Sequence, residues 1–286
     1  MSNIGGGIIY KFSGAGNDFV VIDGRKGGVD AFRLPERIGE LCREYGTDGL
    51  MILGDYRTRL GNDVKARPGA ASSFQDLLWE SGPDFVMEFY NPDGTGGMMC
   101  GNGGRCIVAF ADMLGLKPAS QDGTWHFLAP DGPHEAVILE RGDKWTVRLK
   151  MIDVHGVTPM MGGFFLNTGT RHFVKFVDDV DAIDMELQAK PIRWDKAFQP
   201  EGTNVNFVER TPGGLKVRTF EKGVEGETLA CGTGITASAI AFGSPAKLQC
   251  RRGDWLQVEF ARNGQDFTNV YLTGPAELVS VHEKGK

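Results

Sequence analysis

The run Cys-Gly-x-Gly occurs twice, as Cys100-Gly101-Asn102-Gly103 and Cys231-Gly232-Thr233-Gly234, and each copy leads into an apolar helical stretch. After the first, past Gly104-Arg105, Ile107, Phe110, Ala111 and Leu114 form a stripe at helical spacing; after the second, Ile235, Ala239 and Phe242 do. A strand-like run and a loop precede both copies. They lie close to half the length of the 286-residue chain apart. Two similar halves, each strand-rich with one main helix, are the simplest account. The expected division is 1–152, joined by the tail 274–286 through a returning strand Ala276–Val281, and 153–273.

The rest of the chain fits an α+β class. Ile8–Phe12, Phe19–Ile22, Phe85–Tyr90, Trp145–Leu149 and Phe173–Val177 read as short strands, most of them rich in aromatic and β-branched residues. Gly142-Asp143, Pro212-Gly213-Gly214 and Asn263-Gly264 are turn signals between them. A helix is expected from Pro35 to Tyr45, with Ile38, Leu41, Cys42 and Tyr45 on one face and Pro35 in its first turn. Tyr56–Ser81 reads as an inserted loop, with a short helix near Phe74–Trp79.

Composition narrows the function. The 31 basic and 37 acidic residues give a net charge of −6, and no Lys/Arg block stands out, so no nucleic-acid partner is expected. No run of 18 apolar residues is present, so no membrane span is expected. The first seven residues lack the charge and apolar run of a signal peptide, and a cytoplasmic location is the expectation. Five cysteines, an odd number, argue for free thiols rather than a disulfide framework.

Chemistry follows from where two of those thiols stand. The first N–H groups of a helix lack internal partners, and the helix dipole places partial positive charge there. A thiolate is favoured at such a point, and the same N–H groups can hold a carboxylate. Glycines let a ligand approach the backbone closely. Were Cys100 and Cys231 to face each other across a cleft, one thiolate would remove an α-proton and the opposing thiol would return one to the other face. That is racemisation or epimerisation without a cofactor, with the amide groups stabilising the developing enediolate. Cys42, Cys106 and Cys250 read instead as packing residues. Zinc is the rival reading for the pair, but metal sites usually show Cys pairs two to four residues apart with His partners, a spacing absent here.

Four stretches resemble the diaminopimelate epimerase family. They are Lys11-Phe12-Ser13-Gly14-Ala15-Gly16-Asn17-Asp18-Phe19, then Tyr90-Asn91-Pro92-Asp93-Gly94 with Met99 to Cys106, then Gly202-Thr203-Asn204-Val205-Asn206-Phe207, and Phe220-Glu221-Lys222-Gly223 leading to Glu227–Gly234. The resemblance implies two lobes related by a pseudo-two-fold, each a curved sheet or barrel around a central helix. It implies interconversion of LL- and meso-diaminopimelate, for lysine and peptidoglycan synthesis, with neither cofactor nor metal, in a homodimer. Cys100 and Cys231 match its two reacting cysteines. Gly101, Asn102, Gly232 and Thr233 match the backbone that holds the reacting carboxylate, and Asn17, Asn91 and Asn204 match positions lining the small amino-acid substrate. Glu221 matches an acid near the site, and His172 a histidine near the cysteines, a base for activating a thiol.

The chain departs from the family at three places. Thr170, in Gly169-Thr170-Arg171-His172, stands where Asn or Ser is usual, keeping a hydroxyl but losing the amide donors. Lys222 stands where Arg is usual, a point charge in place of a planar fork. The loop Tyr45–Leu50 is shorter than the family pattern. A racemase of another amino acid on the same fold is the nearest alternative, although proline-racemase relatives tend to carry His where Asn102 stands. A non-catalytic amino-acid-binding or redox protein is the other.

Overall fold

All five strand runs singled out in the sequence are strands in the computed structural model, which describes residues 7–56, 82–97 and 99–283. The insertion expected at Tyr56–Ser81, with its short helix, lies outside the described residues apart from Tyr56. The chain divides into two compact units, Met1–Val147 with Ala276–Lys286, and Arg148–Pro275.

The first unit begins with β1 (Ile8–Ser13) and β2 (Asp18–Asp23), followed by a single 3-10 turn (Asp30–Arg33), α1 (Pro35–Tyr45), β3 (Gly49–Gly54) and β4 (Phe85–Tyr90). The Cys100 turn leads into α2 (Gly101–Met113), and β5 (Thr124–Ala129), β6 (Gly132–Glu140) and β7 (Trp145–Lys150) complete the order, the last running past Val147. Neighbouring strands alternate in sense. β1 lies antiparallel to β2 (Phe12 opposite Phe19), and β2 parallel to β3 (Phe19 opposite Gly49). β3 is antiparallel to β4 (Leu50 opposite Tyr90), β4 parallel to β5, and β5 antiparallel to β6.

The second unit repeats the plan. Two short strands, β8 (Val154–His155) and β9 (Thr158–Met160), precede β10 (Gly163–Asn167), β11 (Arg171–Val177), α3 (Met185–Arg193), β12 (Asn204–Thr211), β13 (Gly214–Glu221) and β14 (Gly226–Thr228). The Cys231 turn then opens α4 (Gly232–Phe242), before β15 (Ala246–Gln249), β16 (Trp255–Asn263) and β17 (Asp266–Glu283). β10 is antiparallel to β11, β11 parallel to β12, β12 antiparallel to β13, β13 parallel to β15, and β15 antiparallel to β16. This is the order of senses found from β1 to β6. β17 serves both units: Thr273 pairs with Gln257, while Glu277 to Glu283 pair along β1 from Ser13 to Ile8.

α1 has the predicted bounds. Pro35 occupies its first turn, Ile38, Leu41 and Cys42 are buried, and Gly46 ends it in the left-handed region (φ 58°), its N–H returning to the Cys42 carbonyl. The two central helices differ from the sequence reading in two ways. They start at Gly101 and Gly232, so the glycines are helical rather than a loop before the helix. Their burial is also not confined to a stripe: every residue from Gly101 to Ala111 is buried, as are Gly232 and Gly234 to Ile240 of α4, whereas Phe242, expected on the stripe, lies at the helix end and is exposed. A helix surrounded by strands needs small residues wherever a strand comes close, which offsets the poor helix propensity of glycine. A Cβ on Gly103 would lie 3.2 Å from Met51 Sδ and 3.4 Å from Met87 Cε. Phe110 of α2 packs edge-on against Tyr10 and Phe12, with ring centres 4.9 and 5.7 Å apart. In the second unit Phe173, Phe198, Val205, Phe207 and Phe220 form a core with Met185 and Ala189 of α3.

α3 had no counterpart in the sequence reading. Pro191 inside it argues against a helix interior, yet the helix closes two residues later at Arg193. Its start is well marked: the Asp184 carboxylate accepts the Leu187 N–H at 3.1 Å.

Candidate active site

The expected site residues fall into two groups, one in each unit. Cys100 is the N-cap of α2, half-buried and in extended backbone (φ −93°, ψ 136°). No side chain caps this end, so the first amides of the helix face the cap with the partial positive charge of its dipole. The Gly104 N–H returns to the Cys100 carbonyl at 2.8 Å, which fixes the turn.

A chain of polarised hydrogen bonds runs beside it. Arg105, wholly buried, donates from Nη2 to Asn102 Oδ1 at 2.7 Å and to the Gly14 carbonyl at 3.2 Å, and from Nη1 to the Gly101 carbonyl at 3.3 Å. Asn102 passes the polarity on, its Nδ2 donating to Asn17 Oδ1 at 2.7 Å, and Asn17 Nδ2 donates to Asp48 Oδ2 at 3.2 Å. Asn17 and Asn102, far apart in sequence, are thus brought together. Asn91 is occupied with its own turn, its N–H meeting the Thr95 carbonyl at 2.9 Å and its Nδ2 the Thr95 hydroxyl at 3.1 Å.

Cys231 is the N-cap of α4, 9 % exposed and extended (φ −124°, ψ 109°), again with no side-chain cap. Its Sγ lies 3.4 Å from Thr233 Oγ1. His172, on β11, is wholly buried, with Nε2 2.9 Å from Thr170 Oγ1 and 3.0 Å from Thr233 Oγ1. Burial pushes its basicity down to about 3, against the pull of its hydrogen bond with Asn206, so the ring is neutral near neutral pH.

Asn204 spans the strand ends: Nδ2 donates to the Arg171 carbonyl at 3.0 Å, and Oδ1 accepts the Lys222 N–H at 2.8 Å. Glu221 accepts a short hydrogen bond from the Thr228 hydroxyl. The Lys222 side chain is exposed.

Cys42, Cys106 and Cys250 are buried as the sequence reading expected, and burial pushes each thiol up from its ordinary value. Among the described residues no group of three or more His, Cys, Asp or Glu is placed to hold a metal ion, and no helix is long and apolar enough to cross a membrane.

Sequence reasoning passed over four residues: Arg105, Thr168, Asn206 and Thr219. Asn206 was detectable, because strand alternation puts it on the same face as Asn204. Arg105 and Thr219 carried no such signal; their burial comes from tertiary packing alone.

Known proteins resemble this chain at several levels of similarity. The family model for diaminopimelate epimerase matches residues 164–279. A diaminopimelate epimerase of Flavobacterium psychrophilum is 36 % identical over 95 % of this chain and 97 % of its own. One from Chlorobaculum tepidum is 36 % identical over 93 % of this chain and 97 % of its own. Among solved structures, a phenazine biosynthesis protein of the PhzF family from Bacillus anthracis matches with a TM-score of 0.68, covering 99 % of this chain and all of that one at 9 % identity, a likeness of fold. With relatives this similar along nearly its whole length, the chain belongs to the diaminopimelate epimerase family.

Proposed function

We propose that this protein interconverts LL- and meso-diaminopimelate by moving a proton between Cys100, Cys231 and the α-carbon of the substrate. The observation that carries the proposal is the matching position of the two thiols: each is the N-cap of a buried, glycine-led helix without a side-chain cap hydrogen bond. A thiolate on one face takes the α-proton, so the C–H bond breaks and an S–H bond forms. The second thiol gives its proton to the opposite face of the carbanion, so an S–H bond breaks and a C–H bond forms. No electrons are exchanged, and the step needs neither cofactor nor metal. The amides of Gly101 and Asn102, and of Gly232 and Thr233, are suited to the carboxylate as negative charge develops on it. Asn17, Asn91, Asn204, Glu221 and Lys222 would receive the rest of the substrate. The product serves lysine and peptidoglycan synthesis. We place the protein in the cytoplasm, as a homodimer, on the strength of the family resemblance.

The test is incubation of the purified protein with LL-diaminopimelate in deuterium oxide, following the LL to meso ratio and deuterium at the α-carbon. Deuterium should enter as the meso form appears. Replacing either cysteine, as Cys100→Ala or Cys231→Ala, should lower turnover by about 10²–10⁴-fold, the usual contribution of one proton-transfer group. Exchange into a different amino acid and not into diaminopimelate would favour the other racemase; ligand-dependent stabilisation without any exchange would favour a binding protein.

A further inference from the structure

Two side-chain hydrogen bonds stand at matching places in the two cysteine turns. Five residues past Cys100, Arg105 donates from Nη1 to the Gly101 carbonyl at 3.3 Å. Five residues past Cys231, the Thr236 hydroxyl donates to the Gly232 carbonyl at 2.9 Å. Both donors are wholly buried, so neither meets a ligand itself. Each reaches the carbonyl of the first helical residue. That carbonyl shares one planar peptide with the N–H of Asn102 in the first turn, and with the N–H of Thr233 in the second. A donor on the oxygen draws electrons towards it and leaves the N–H more positive, so bonds at the two ends of a peptide strengthen each other. The N–H groups concerned lie in the first turn of their helices, where the helix itself offers them no partner. At the Cys231 turn the following peptide has the same kind of support: the Thr168 hydroxyl donates to the Thr233 carbonyl at 2.9 Å, on the peptide that carries the Gly234 N–H. Gly234 lets this turn lie close to the strands, since a Cβ there would stand 2.5 Å from Asn206 Oδ1 and 3.2 Å from Thr219 Oγ1.

We propose that Arg105 and Thr236 are positioning residues that polarise the Gly101–Asn102 and Gly232–Thr233 peptides, and so strengthen the N–H groups offered to the substrate carboxylate. The proposal rests on the reading of these two turns as the ends that hold that carboxylate. Loss of the α-proton spreads the carbanion's charge onto the carboxylate oxygens. A more polar N–H therefore gains more in the transition state than with the bound substrate, which is the condition for raising kcat. The two turns reach this end with different chemistry, a guanidinium in one and a neutral hydroxyl in the other. A buried helical hydroxyl commonly bonds the carbonyl four residues back merely to satisfy itself. Ser238 does so, donating to the Gly234 carbonyl at 2.7 Å. The N–H of that peptide, on Ile235, is already taken by the Cys231 carbonyl at 2.9 Å, so polarising it serves nothing outside the helix. Ser238 is thus a control built into the same helix.

The test reads the amide nitrogen resonance of Thr233 in labelled protein without substrate, and then kcat and KM for LL-diaminopimelate, with kcat taken per folded protein as counted from the same spectra. In Thr236→Val the Thr233 nitrogen should move upfield, because a hydrogen bond on the preceding carbonyl deshields it. Its kcat should fall about 2–8-fold with KM within about twofold, the effect of withdrawing a 10–30 % strengthening from a donor worth about 10²–10³-fold. Thr236→Ser, which restores the hydroxyl, should return both the resonance and kcat to the natural values. Ser238→Ala should leave kcat where it is. In Arg105→Met the Asn102 nitrogen should move upfield and kcat should fall at least as far, since a charged donor is the stronger one. The proposal is overturned if the Thr233 resonance stays in place in Thr236→Val, if Ser238→Ala lowers kcat as far as Thr236→Val, or if the loss in Thr236→Val lies wholly in KM. A natural protein that leaves LL-diaminopimelate unchanged would overturn the substrate instead, and the resonance alone would then decide whether the peptide is polarised.

Discussion

Arg33 grips the carboxylate of Glu88 at two points, Nε to Oε2 at 3.0 Å and Nη2 to Oε1 at 2.8 Å. Glu88 is 3 % exposed, and the Tyr90 hydroxyl adds a third bond to Oε2 at 2.7 Å. A two-pronged pair of this kind is short and directional. Arg33→Ala removes the guanidinium and leaves the carboxylate buried, which should cost about 3–5 kcal/mol in urea unfolding. The double variant Arg33→Met, Glu88→Leu should recover most of that loss, because the cost comes from the stranded charge. A loss below about 1 kcal/mol in the single variant would show the pair to behave as an ordinary surface bridge.

The buried imidazole gives stability a dependence on pH. His172 titrates near 3 in the folded protein against an ordinary value of 6.5. Above the ordinary value both states are neutral and the residue contributes no slope. As pH falls below it, the unfolded chain takes up a proton that the folded protein refuses, and stability drops until pH reaches about 3. Between about pH 6 and pH 4 the natural protein should lose about 2 kcal/mol more than His172→Phe. Equal slopes in the two proteins, measured by urea unfolding at a series of pH values, would place the imidazole in contact with water.

Gly14 sits where the Arg105 chain meets the helix. A Cβ there would lie 2.7 Å from the Asn102 carbonyl and 2.8 Å from Cys106 Sγ, and a helix backbone does not yield easily. Gly14→Ala should lower stability by about 1–3 kcal/mol, with a fall in Tm and in epimerase turnover as Asn17 and Asn102 are displaced. Gly226→Ala, whose new methyl would meet nothing within 4 Å, is the control and should stay within about 0.5 kcal/mol of the natural protein.

Local chemistry explains how far the sequence could be read. Strands such as Phe85–Tyr90 and the helix Pro35–Tyr45 declare themselves through period, side-chain shape and Pro or Gly at their ends, all properties of neighbouring residues. The two cysteine turns were legible because the chain repeats them. The Asn206 to His172 relay was only half legible: Asn204 and His172 drew notice through their motifs, but the bond from Asn206 joins β12 to β11 across more than thirty residues. α3 was hidden by Pro191, whose missing N–H a short helix tolerates near its end. The starts of α2 and α4 were set too late because glycine propensity points to a loop, whereas close strands make glycine the residue that fits.

The long last strand has a consequence for how the protein must be made. Ile9 and Phe12 of β1 pair with His282 and Leu278 of β17, so β1 stays without that neighbour until β17 has been made. A nascent chain stopped after Pro275 would contain every residue of both cysteine turns and still expose an unfilled edge along β1, open to pairing with any stray strand. Completion of the N-terminal unit therefore waits on Glu277 to Glu283, and a stop at Pro275 would yield a chain prone to aggregate rather than a shortened enzyme.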